Sequence, residues 1–127
     1  MRRSVAVVGP VDVGEAWERY AVIARWPTWA PPIQRVEASA PRLAPGVSGV
    51  VHGPLGLRVS FTVEAVDEQD RSWSWAVRSG PVRMRLVHQV LPTAEGGTAA
   101  TLTVIGPAPL ALLYPDLARV ALARLVR

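Results

Sequence analysis

His88 lies in "VRMRLVHQVL", Val82 to Leu91, where the residue types alternate in a way that hides it. Successive side chains on a strand point to opposite faces. Val82, Met84, Leu86, His88 and Val90 therefore share one face, and Arg83, Arg85 and Gln89 the other. An imidazole among such apolar neighbours has a lowered pKa, because burial disfavours its charged form. As a neutral ring it can act as a base or a hydrogen-bond donor near neutrality. The same residue also fits a structural role, bonded to a backbone carbonyl near Pro92, since buried polar groups take partners. The only other histidine, His52 in "VVHGP", precedes a Gly-Pro turn that leaves its facing open. Two histidines with no acid on the inner face and no cysteine make no three-ligand metal site. The chain also has no glycine-rich phosphate loop before a helix and no Gly-x-Ser-x-Gly elbow.

The aromatic residues are the second chemical resource. "RSWSWAVR" places Trp73, Trp75 and Val77 on one face of a strand. "LRVSFTVEAV" sets Leu57, Val59, Phe61, Val63 and Ala65 against Arg58, Ser60, Thr62 and Glu64. The "SGP" turn joins the Trp73 strand to the His88 strand as a hairpin. Inward residues must meet inward residues, so Trp73 pairs with Leu86 or with His88, and either register leaves His88 beside Trp73. The same arithmetic gathers Arg58, Arg78 and Arg83 on the outer face at one end of the sheet. Such a patch can receive an acidic carrier protein or an anionic substrate tail, or it can be a solvated face that keeps the protein soluble.

These positions need a scaffold. "SVAVVG" reads as a first strand stopped by Gly-Pro. "VDVGEAWERYAVIARW" carries Val13, Trp17, Tyr20 and Ala24 at helical spacing, with Asp12 as N-cap and Glu15 three residues on. In "RWPTWAPPI" three prolines exclude a long helix, so Trp26 and Trp29 sit on a short turn or single helical turn leading into the strand "IQRVEAS". Antiparallel strands with short turns follow from Val47 to Gly106. "PAPLALLYPDLARVALARLVR" then returns to helical spacing, with Leu110, Leu113, Tyr114, Leu117, Ala121 and Leu125 in one stripe. Proline suits a first helical turn, so the regular helix is expected to begin at Pro115. Strand, helix, several antiparallel strands and a long helix make an α+β arrangement.

Composition sets the outer bounds. The 127 residues are half hydrophobic, enough for one domain over 1–127 with a core that needs no disulfide. All fourteen basic residues are arginine and they are scattered, whereas nucleic-acid binding calls for a basic stripe interleaved with exposed aromatics. The opening "MRRSVAVVGP" is too short in its apolar run for a signal peptide, and no window reaches the length of a membrane span. The expectation is a cytoplasmic protein without nucleic-acid or membrane partners, as a monomer or homodimer.

The order of elements, with "VDVGEAWERYAVIARWPTWAPPIQRVE", "LAPGVSGVV", "RSWSWAV" and "VHQVLPTAEGGTAATL", resembles the START-like (SRPBCC) helix-grip superfamily. The polyketide cyclase and dehydrase branch is the nearest likeness within it. The resemblance implies a curved antiparallel sheet wrapped around the C-terminal helix, two short helices after strand 1, and an apolar cavity between sheet and helix. It further implies a small hydrophobic, carbonyl-bearing ligand and cyclisation or dehydration without a cofactor. A non-catalytic carrier or sensor of a hydrophobic metabolite is the alternative. In the catalytic reading His88 moves a proton and Tyr114 polarises a carbonyl. Trp29, His52, Phe61, Trp73, Trp75, Met84 and Leu117 line the ligand. Trp26 is expected to plug the core.

Overall fold

The computed structural model describes residues 1–107 and 110–127, the side chains of 110–117 excepted. Seven strands form one antiparallel sheet: β1 (Arg2–Gly9), β2 (Arg35–Ala38), β3 (Ser48–His52), β4 (Arg58–Asp67), β5 (Ser72–Ser79), β6 (Val82–Pro92) and β7 (Thr98–Ile105). Their spatial order is β1-β7-β6-β5-β4-β3-β2. Hairpins make every sequential pair from β2 to β7 neighbours, and β1 closes the far side by pairing with β7. The helices are α1 (Val13–Ala21), α2 (Trp26–Trp29) and α3 (Leu110–Leu125). The two short ones follow β1 and the long one ends the chain, which is the α+β helix-grip architecture.

Local chemistry explains the start of α1. The Asp12 carboxylate accepts from the Gly14 amide at 2.9 Å, satisfying one of the donors that a helix N-terminus leaves unpaired. Glu15 does not complete a capping box. It turns instead to Arg25, at 2.6 Å, and Arg19, at 3.1 Å, and Arg25 chiefly, then Arg19, holds its carboxyl below the usual range against the opposing effect of burial. The helix buries Ala16, Trp17, Tyr20 and Ala21 and stops at Ala21, so Ala24, expected on the same stripe, falls in a 3-10 turn and is exposed.

The inner face of the sheet follows the alternation read from the sequence except in β4. There the register steps from Val63↔Trp75 to Ala65↔Ser74, leaving Glu64 as the extra residue of a β-bulge. Beyond it Val66 turns inward opposite Trp73 and Ala65 is exposed, against the expectation that Ala65 faces the core. Glu64 spans the outer face to bond Arg85 at 2.7 Å.

The last helix begins five residues before Pro115, so the expected start at Pro115 is wrong. A proline costs a helix interior a hydrogen bond and about 3 kcal/mol, which packing of the rest of the helix can offset. Its C-terminal turns pack against β1 and β7 through Leu122, Leu125 and Val126. Two features pin that end. The Arg19 guanidinium donates to the Leu125 carbonyl at 2.7 Å, and the Val11 amide to that of Val126 at 3.1 Å. Gly9 permits the approach, because a Cβ there would lie 2.3 Å from the Val126 oxygen.

Leu55, in the turn between β3 and β4, holds φ 58° and ψ 32°, a left-handed conformation that a side chain disfavours. Its side chain is fully exposed, so no burial offsets the strain.

Candidate functional site

β5 and β6 meet with Trp73 directly opposite His88 and Trp75 opposite Leu86. Of the two registers open to the sequence, this one sets the imidazole and the Trp73 indole face to face. Their centroids are 3.9 Å apart and their planes 5° from parallel. The His88 Nδ1 lies 3.3 Å from the Trp73 carbonyl oxygen. The structural partner of the histidine is thus a carbonyl of the adjacent strand, and not one near Pro92. Burial pushes the His88 pKa down to about 3, with the Trp73 carbonyl opposing the shift. The ring is therefore neutral at any ordinary pH. With Nδ1–H given to the carbonyl, Nε2 keeps its lone pair, and a pKa that low makes it a weak base.

Around this pair the inner face carries a continuous set of rings. Tyr20, from α1, stands edge-on to Trp73 at 5.5 Å and to His88 at 5.4 Å. Trp26 from α2 stacks on Trp73 at 5.8 Å, and Phe61 from β4 meets Trp75 at 5.1 Å. Trp26 is 1 % exposed and is the plug that its proline-bound turn suggests. Tyr20 is the member that sequence reasoning left out of the site. Its place on the Trp17 and Tyr20 stripe marked it as core, and no signal separated a core ring from one touching His88.

The indole nitrogens divide the five tryptophans. Trp17 donates to Glu68 at 2.7 Å, Trp26 to the Tyr20 carbonyl at 2.8 Å and Trp29 to the Arg19 carbonyl at 2.9 Å. The Nε1 atoms of Trp73 and Trp75 are buried and have no acceptor among the described residues. A buried donor left unmatched costs about 1–3 kcal/mol, and here two belong to neighbouring rings whose centroids are 5.2 Å apart.

Comparison with known proteins places this arrangement. The chain belongs to the family described as polyketide cyclase / dehydrase and lipid transport. The match runs over residues 2–127. No curated protein matches it at the sequence level. Among solved structures, a protein of Nitrosospira multiformis superposes with a TM-score of 0.82 at 16% identity, covering 99% of this chain and 94% of that one. DynU16, from the dynemicin biosynthetic locus, gives 0.77 at 22% identity over 98% of this chain and 45% of its own. A norcoclaurine synthase of Thalictrum flavum, solved as a point mutant with a transition-state analogue, gives 0.69 at 15% identity, covering 98% of this chain and 91% of that one. At these identities the likeness is one of fold.

Within this family member the expected ligand residues fall into three groups. Phe61, Trp73, Trp75 and His88 come together on the inner face, with Met84, half-buried opposite Val77, at its end. Trp29 sits beside them, its ring edge-on to Tyr20 at 5.4 Å. His52 does not join them. It lies on the outer face opposite Arg58, with Nε2 3.0 Å from the Glu37 carboxylate. The side chains of Tyr114 and Leu117 lie outside the described residues. No cluster of three or more potential metal ligands occurs among the described residues, and no helix among them is long and apolar enough to cross a membrane.

Proposed function

We propose that this chain binds an apolar, carbonyl-bearing small molecule of polyketide type on the inner face of the sheet, as a carrier or sensor. The observation that supports this reading is the pair of buried Trp73 and Trp75 indole N–H groups with no acceptor among the described residues. A ligand oxygen reaching either donor would satisfy it, while the partly buried ring of Trp29 offers apolar and stacking surface beside the cluster. His88 contributes shape and a neutral edge. Its low pKa suits binding better than moving a proton.

Cyclisation or dehydration of the same ligand is the second reading, favoured by the family match. The inner face would then act by holding a flexible chain in a reactive conformer, with the indole donors polarising the carbonyl and Tyr114 as a further donor. Delivery by an acidic carrier protein would suit either reading, as would a soluble cytoplasmic setting.

Native mass spectrometry of the protein from its own host tests both. A co-purifying carbonyl compound, retained by the native chain and lost from a Trp73→Phe/Trp75→Phe variant that still folds, supports the binding reading. Release of that compound with a changed mass, such as the loss of water, supports catalysis. A compound held equally by both proteins sinks the role of the indole donors.

A further inference from the structure

On the outer face of the same strands lies a groove of about 580 Å³. Ser60, Thr62, Ala76 and Ile105 line it, together with Arg78, Arg83 and Arg85. Arg78 and Arg83 are directly opposite each other in the β5–β6 register. Like charges in that relation destabilise a sheet. Arg58 joins them, since Ser60 pairs with Arg78 and Arg58 lies two residues along on the same face.

Carboxylates do not relieve this cluster. Arg19, Arg25, Arg35, Arg42 and Arg85 each bond a glutamate. No ion pair forms at Arg58, Arg78 or Arg83 among the described residues. Glu64, the partner of the groove's Arg85, is already held by it in a two-point contact at 2.7 and 3.1 Å. The sheet therefore bears a cross-strand pair without a carboxylate partner among the described residues, with Ser60, Thr62, Ala76 and Ile105 lining the same groove.

We propose that this groove docks an acidic segment of a partner protein, one presenting several clustered carboxylates. Charge complementarity selects the sign of the partner. The exposure of the arginines selects its kind. A single small anion on an open face is largely screened by salt, whereas neighbouring carboxylates on one segment can meet three guanidinium groups and two hydroxyls together. The proposal rests on the outer face alone and stands or falls apart from the inner-face ligand.

Fluorescence anisotropy with a labelled poly-glutamate peptide tests it on the intact chain. Binding is expected to weaken with rising salt and to fall about tenfold in an Arg78→Gln/Arg83→Gln variant. An Arg119→Gln/Arg124→Gln variant, with the same loss of charge on exposed positions of α3 away from the groove, should bind like the native chain. Equal weakening in both variants would overturn the site in favour of diffuse attraction. Absence of peptide binding at low salt would overturn it too. Inorganic phosphate that binds at the same arginines while the peptide does not would replace the docking surface with a small-anion site.

Discussion

The imidazole of His88 lies flat against the indole of Trp73 across two hydrogen-bonded strands, and its Nδ1 reaches the carbonyl of that same residue. Burial keeps the ring neutral against the opposing pull of the Trp73 carbonyl, and stability acquires a pH dependence from it. The folded pKa, about 3, lies below the ordinary 6.5, so the unfolded chain takes up this proton first as pH falls. The stability due to a neutral His88 is complete above pH ~6.5 and is lost progressively toward the folded pKa. Chemical denaturation at pH 7 and pH 4.5 should differ by roughly 2–3 kcal/mol more in the native chain than in His88→Leu. Equal pH dependence in the two would refute it.

Trp26 joins two kinds of contact: its ring lies on Trp73 and its N–H bonds the Tyr20 carbonyl. Truncation to alanine opens a cavity and strands a buried carbonyl. We expect Trp26→Ala to cost about 3–5 kcal/mol in urea denaturation. A cost under 1 kcal/mol would mean the rings collapse around the gap.

Gly9 offers a cleaner steric test. A methyl group there meets the Val126 backbone at 2.3 Å, and backbone cannot move aside like a flexible side chain. Gly9→Ala should destabilise by about 1–3 kcal/mol through loosening the C-terminal turns of α3 from β1. Hydrogen exchange at the Val11 amide, which bonds Val126, should speed up in the variant.

Leu55 predicts the opposite sign. Its positive φ is strained and its side chain buries nothing, so Leu55→Gly should raise stability by about 1 kcal/mol, read as an upward shift of Tm. A fall in Tm would show that the turn is held by the leucine after all.

Much of this was legible in residue order. In the β5–β6 hairpin core faces must meet, which leaves Trp73 two possible partners, and strand alternation puts His88 inside. Alternation also brought Arg58, Arg78 and Arg83 to one outer edge. Periodicity failed where a local rule yielded to packing. Glu64 is an ordinary outward residue in the pattern, and nothing in its type announces a bulge. Pro115 signals a helix start locally, yet the helix runs through it. His52 precedes a Gly-Pro turn, which erases the phase needed to assign a face, and its pairing with Glu37 depends on a strand contact that no spacing reveals. That Trp73 and Trp75 find no acceptor among the described residues is three-dimensional information of the same kind.

The bulge at Glu64 also acts as a parity switch. Before it, odd-numbered residues of β4 belong to the interior, as Phe61 and Val63 do. After it, Val66 takes the interior and odd positions go to solvent. Deleting Glu64 would turn the bulge into regular pairing, with Val63 opposite Trp75 and Ala65 next to it opposite Ser74, and every remaining residue would keep its face. With Glu64 present, the count of residues and the count of faces fall out of step. Any redesign of this strand must therefore change its inside-outside rule halfway along. A library that keeps one alternation from Arg58 to Asp67 would place polar side chains against Trp73 and apolar ones in water.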